Sequence, residues 1–130
     1  MEDAAASPGP QQQQKTFKER TTFENRVDEV ASIRAKFHRK VPVIVERHKQ
    51  ERDLPLLDRT KFLVPEDLSM CQFFMIVRNR MQLQHHQTLF LLINNKSLAG
   101  MSAQMSEIYK QDKDKDGFLY VIYASQPVFG

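Results

Sequence analysis

Several groups of residues carry the right types at the right spacing for chemistry. Asp112-Lys-Asp-Lys-Asp116-Gly117 puts carboxylates and a glycine where a calcium-binding loop begins. The far end of such a loop should be a bidentate glutamate, but Tyr123 stands there, and the residues after Gly117 read as a strand. A solvated acidic turn closed by glycine is the better reading. Gly117-Phe-Leu-Tyr-Val-Ile-Tyr123 resembles an RNA-binding strand whose alternating aromatics stack bases. Asp116 would repel phosphate where that strand needs a cation, and Leu119 would crowd it, so a core strand fits better. His85-His86 has no cysteine or carboxylate at ligand spacing on the same element. Cys71 lies in the first turn of an expected helix, where a thiolate is favoured, but no histidine base is placed beside it. No catalytic set and no metal site can be assembled, which points away from an enzyme and gives no reason to expect a cofactor.

Lys61-Phe-Leu-Val-Pro65 is more informative. On a strand, Phe62 and Val64 face one side and Lys61 and Leu63 the other, so both sides carry apolar groups. The closing proline favours a sheet edge. An edge can accept an extended peptide as an added strand, with pockets on either side for its side chains; the alternative is an edge covered by its own chain.

The elements around that strand follow from periodicity. Residues 1–14 have no apolar pattern and read as a flexible tail. Phe23, Val27, Val30, Ile33 and Phe37 recur every three or four residues after a cap expected at Thr21 with Glu24, giving an amphipathic helix preceded by a helical turn near Phe17. Val41 to Val45 is β-branched and apolar on both faces, which requires cover on both sides, one of them from that helix. Ser69 and Gln72 open a helix running to about Gln82, with Phe73, Ile76 and Val77 on its apolar stripe. Leu89 to Ile93 is a strand turned by Asn94-Asn95, Met101 to Tyr109 a short helix, and Leu119 to Tyr123 the last strand. This order is that of an α+β ubiquitin-like β-grasp with a four-stranded mixed sheet and two additional N-terminal helices. The expected division is a tail at 1–14, a helical extension at 15–37, the β-grasp domain at 38–124 and a C-terminal tail at 125–130.

Composition narrows the partners. With 41% hydrophobic and 27% charged residues the chain can bury a core, and its longest apolar run is far short of the ~20 residues of a spanning helix. The single Cys71 permits no internal disulfide, in keeping with a reducing cytoplasm. Residues 15–61 hold thirteen Lys and Arg against eight Asp and Glu, a net +5, whereas residues 62–130 balance. A basic N-terminal half attracts acidic surfaces such as anionic lipid or the acidic tails of tubulin, without choosing among them.

The segments Lys15-Thr-Phe-Lys-Glu-Arg20, Val41-Pro-Val-Ile-Val-Glu-Arg47, Asp58-Arg-Thr-Lys-Phe-Leu-Val-Pro65, Asp114-Lys-Asp-Gly-Phe-Leu-Tyr120 and Tyr123-Ala-Ser-Gln126 resemble the microtubule-associated protein light chain 3 branch of the autophagy ubiquitin-like modifiers. The resemblance spans Lys15 to Gly130. It implies conjugation of Gly130 to membrane phosphatidylethanolamine by E1-like and E2-like enzymes, with a cysteine protease for processing or delipidation. It also implies a cytoplasmic protein that moves to the autophagosome membrane when lipidated. Cargo receptors and adaptors with aromatic-x-x-aliphatic motifs would be its ligands. By the same resemblance Glu29, Ile33, Pro42, Ile44, Lys61, Leu63 and Phe118 line an aromatic pocket. Phe62, Val64, Pro65, Phe73, Ile76 and Val77 line an aliphatic pocket, and Arg59 and Arg80 form a charged rim. Departures from the family pattern are the long leading segment, which suggests a divergent member of nematode type, Pro127-Val128 before Phe129, and the bulk of Phe73. The alternative function is a soluble microtubule-binding scaffold; nucleic acid is not an expected partner.

Overall fold

β-branched and apolar residues fill Lys40–Arg47, and this strand, β1, carries the fold. In the computed structural model, which describes residues 15–94, 96–97 and 102–127, β1 lies between two neighbours. It pairs antiparallel with β2 (Lys61–Pro65) and parallel with β5 (Leu119–Ala124). β5 in turn pairs antiparallel with β3 (Phe90–Ile93). These four strands are the expected mixed sheet; a two-residue strand, β4 (Lys96–Ser97), adds a fifth beside β3, giving the order β2-β1-β5-β3-β4. β2 is therefore an edge, as Pro65 suggested.

Both faces of β1 are covered. Val41, Val43 and Val45 pack on α3 (Met70–Met81) through Phe73 and Val77, and on α4 (Met105–Asp112) through Met105 and Ile108. Ile44 faces the other way, into a smaller cluster of Phe17, Val30 and Phe118 supplied by α1 (Phe17–Arg20), α2 (Phe23–Lys36) and the turn before β5. Alternation of side chains along one strand thus demands two helical layers. Phe17 meets Phe118 edge to face, with ring centroids 5.2 Å apart.

The helix starts follow the capping rules with one correction. Ser69 and Gln72 form the expected reciprocal capping box on α3. Thr16 and Glu19 form another on α1, which was not anticipated. α2 is capped by Thr22 rather than Thr21. Thr21 is already engaged: its hydroxyl donates to the Phe17 carbonyl, and its own oxygens accept from Arg26. α4 begins at Met105, later than expected; Met101 lies outside the described residues, as does Asn95 of the expected turn.

The acidic turn before β5 is not simply solvated. Asp116 is only 2% exposed, with Arg26 Nε 2.8 Å from its Oδ2 and the Phe118 N–H donating to its Oδ1 at 2.8 Å. The Tyr120 hydroxyl donates to the same carboxylate. Burial, and then that bond to Asp116, push the Tyr120 hydroxyl far above its usual range. Gly117 makes the turn at φ +98°, and a Cβ there would stand 2.7 Å from Val30 Cγ1.

Two consequences can be measured by chemical denaturation. Gly117→Ala should cost about 2 kcal/mol or more, because left-handed strain and the clash with Val30 add; an unchanged midpoint would contradict this packing. Asp116→Asn should cost on the order of 3 kcal/mol by leaving Arg26 buried without its counter-charge, whereas a loss under about 1 kcal/mol would mean that the pair is solvated.

Candidate functional site

β2 is a backbone edge, and its register shows which main-chain groups face away from β1. The Val45 N–H bonds the Thr60 carbonyl and the Glu66 N–H bonds the Arg39 carbonyl, flanking the pairs Val43 with Phe62 and Val41 with Val64. Antiparallel alternation then turns the main-chain groups of Phe62 and Val64 toward β1, and those of Lys61 and Leu63 outward. The same alternation aims the nitrogen of Pro42 away from β2, one residue before the β5 ladder begins at Val43, so its missing N–H breaks no rung there.

On the α2 face the structure brings all seven expected aromatic-pocket residues together. Pro42 lies opposite Leu63, and Ile44 opposite Lys61. Lys61 forms an ion pair with Glu29 of α2, and its ammonium sits 5.5 Å from the Phe17 ring centre. Ile44 and Phe118 are fully buried and Ile33 packs on them, so these two are a floor, while Ile33, Leu63 and Lys61 are the half-buried surface above it. Phe17 belongs to this site as well. Its ring covers Phe118, and Glu46 holds it in place by accepting the Phe17 N–H at 2.7 Å. Burial raises the Glu46 carboxyl despite that bond.

The α3 face is arranged differently. Phe62, Val64, Phe73 and Val77 are core residues, none more than 7% exposed, with Phe62 edge to face on Phe73. Only Ile76 and Pro65 of the expected aliphatic pocket are exposed. Arg59 and Arg80 flank Phe62, their guanidinium carbons 5.2 and 5.8 Å from its ring centre. Arg80 also grips Asp58 through two bonds of 2.7 and 3.2 Å, so an acid on a ligand would have to share that cation.

β2 therefore separates two apolar floors on opposite faces of the sheet, with the outward main-chain groups of Lys61 and Leu63 between them and the Lys61 carbonyl already accepting from Arg59 Nε at 3.1 Å. Such an arrangement can hold an extended peptide but offers no activated nucleophile. Cys71 and His85-His86 are exposed, and among the described residues no three His, Cys, Asp or Glu side chains converge as metal ligands. Both faces of β5 are packed, Leu119, Val121 and Tyr123 on one side and Tyr120 beside Phe118 on the other, which removes the surface an RNA-stacking strand would need. Part of the basic half is committed internally, since Lys18 pairs with Asp114 at 2.7 Å and Arg26 with Asp116. Among the described residues no helix is long and apolar enough to cross a membrane. The expected conjugation residue, Gly130, lies outside the described residues, which end three positions earlier at Pro127.

Comparison with known proteins agrees with this arrangement. Residues 25–130 match the family model described as autophagy protein Atg8, ubiquitin like. The human protein named microtubule-associated protein 1 light chain 3 gamma is 56% identical over 114 residues, which cover 88% of this chain and 78% of the human protein. Protein lgg-2 of Caenorhabditis elegans is 50% identical over 115 residues, 88% of each chain. Autophagy-related protein 8 of Kluyveromyces lactis is 45% identical over 114 residues, 88% of this chain and 90% of its own. The chain belongs to the Atg8 family of ubiquitin-like autophagy proteins.

Proposed function

We propose that this protein is a lipid-anchored adaptor: Gly130 is joined to the amine of phosphatidylethanolamine on autophagosomal membrane, and the β2 edge recruits receptors bearing an aromatic-x-x-aliphatic motif. The observation that carries the peptide half is the parity of the groove. In an extended peptide, residues three apart point to opposite sides of the strand and lie about 10 Å from each other along it. A peptide added to β2 would therefore direct its aromatic residue to the α2 face, above Ile33 and Leu63, and its aliphatic residue to the α3 face, beside Ile76 and Pro65. Its main chain would bond to Leu63 and to the Lys61 N–H, and would reach the Lys61 carbonyl only by displacing Arg59 Nε. Acidic neighbours in the ligand would meet Lys61, Arg59 and Arg80. The ion pair of Lys61 with Glu29 spans the mouth of the α2-face pocket and would have to loosen for a ring to settle against Phe118.

The conjugation half is supported by family membership and by the tail after β5. Glycine has no Cβ to obstruct a narrow active site, and an activated glycine carboxyl can pass from a thioester to a lipid amine. An E1-like and an E2-like enzyme would supply the cysteines, and a cysteine protease would process or reverse the product. The modifier itself needs no catalytic residue.

Leu63→Ala should weaken an aromatic-x-x-aliphatic peptide by about 1–3 kcal/mol in calorimetry. Phe62→Ala is a poor probe, because that ring is part of the core. Deleting one spacer from the peptide puts both anchors on one face and should weaken binding at least about tenfold, since one anchor is then lost; equal affinity would exclude the two-faced groove. In reconstitution with the conjugating enzymes, ATP and phosphatidylethanolamine vesicles, removal of Gly130 should abolish lipid attachment and leave peptide affinity unchanged. Lipidation of the truncated chain would place the attachment elsewhere.

A further inference from the structure

Glu51 is fully buried in the polar loop between β1 and β2, and the groove has no use for it. Its Oε1 accepts the Ser125 N–H at 2.6 Å and the Ser125 hydroxyl at 2.9 Å. Its Oε2 accepts the N–H groups of Asp53 and Leu54, both at 3.0 Å. Burial opposes the charge, but these donors together outweigh it and hold the carboxyl below the ordinary glutamate range.

The same loop grips the last turn of β5 from both sides. The His48 N–H donates to the Tyr123 carbonyl at 2.9 Å, the Tyr123 hydroxyl donates to the Pro55 carbonyl at 2.7 Å, and the Leu57 N–H donates to that hydroxyl at 3.1 Å. Ser125 is the first residue after β5, and with Gln126 it borders a cleft walled by Asp53, Leu54 and His86. We propose that Glu51 is a positioning residue for conjugation: by holding Ser125 it fixes where the C-terminal tail leaves the domain. The five residues beyond Ser125 then have a constant reach, at most about 17 Å. With the clasp open, two or three more residues must be ordered each time an enzyme takes up the tail, an entropic loss that falls on productive docking and not on the reacting carbonyl. This inference rests on the reading of Gly130 as the attachment point.

The test uses the full chain as wild type, Glu51→Gln and Ser125→Ala. The amide of the glutamine variant cannot accept all four bonds, whereas Ser125→Ala removes only the hydroxyl and spares the fold. Three properties are followed: exchange of the Ser125 amide that Glu51 accepts, transfer to the E1-like and E2-like enzymes, and affinity for an aromatic-x-x-aliphatic peptide. The expected result is faster exchange at Ser125 and an apparent KM for transfer raised about three- to tenfold in Glu51→Gln and less in Ser125→Ala, with kcat and peptide affinity unchanged. Unchanged exchange and KM in both variants would overturn the clasp. So would transfer and peptide binding that fall together, since that is loss of folded protein. If wild type and a Gly130-deleted chain were lipidated alike, the attachment reading would fail, and exchange at Ser125 would still decide whether Glu51 orders the tail's exit.

Discussion

The carboxylate of Asp116 is where the two halves of the structure are tied together. A strand as apolar as β1 cannot leave either face in water, and its second face is covered only if α1 and α2 lie across it. No strand pairing holds these helices. Their attachments include the small cluster around Phe118 and the bonds of Lys18 to Asp114, of Glu29 to Lys61, of the Phe17 N–H to Glu46 and of Arg34 to the Lys40 carbonyl. They also include the ion pair of Asp116 with Arg26, whose guanidinium donates to the carbonyls of Lys18 and Thr21 at the joint between the helices. The Arg26–Asp116 pair is the most buried of these polar ties and joins the helices to the turn before β5. The same helices carry Phe17 over Phe118 and bring Glu29 and Ile33 beside β2. The pair earns attention less for net stability, since buried ion pairs often gain little over apolar replacements, than for geometry.

From that geometry the groove follows. Placing α2 on one face and α3 on the other leaves β2 as an edge between two different apolar floors. An odd spacing between ligand anchors is then imposed by strand parity alone. In the proposed binding mode, specificity for the two anchors and affinity from main-chain bonds would come from separate groups, so a short and otherwise variable segment could be recognised. The chain leaves β5 beside the 48–58 loop, where Glu51 holds Ser125.

Much of this architecture can be read along the chain. The run Val41 to Val45 demands cover on both faces, the Ser69 and Gln72 pair opens α3, and the alternation of Lys61 to Pro65 sorts its side chains correctly. What is hidden depends on partners remote in sequence. Asp112 to Gly117 has the composition of a solvated turn, and only Arg26, ninety positions away, makes Asp116 a buried counter-ion. Thr21 has capping-box spacing with Glu24, but Arg26 and the Phe17 carbonyl claim it, and Thr22 caps α2 instead. Glu51 is bound by main-chain donors and a serine, a pattern with no sequence signature. The family resemblance names Phe62, Phe73 and Val77 as pocket residues, but their depth in the core becomes visible only when β2 and α3 are packed together.

The central claim is that ligands join the sheet at β2, and the register makes it testable one amide at a time. Hydrogen exchange should be followed at Lys61, Phe62, Leu63 and Val64, with and without a saturating aromatic-x-x-aliphatic peptide. The amides of Lys61 and Leu63 face outward and should become protected, whereas those of Phe62 and Val64 already bond to β1 and should change little. Peptide that binds tightly while Lys61 and Leu63 exchange as fast as before would show that the ligand sits elsewhere, and would contradict the account.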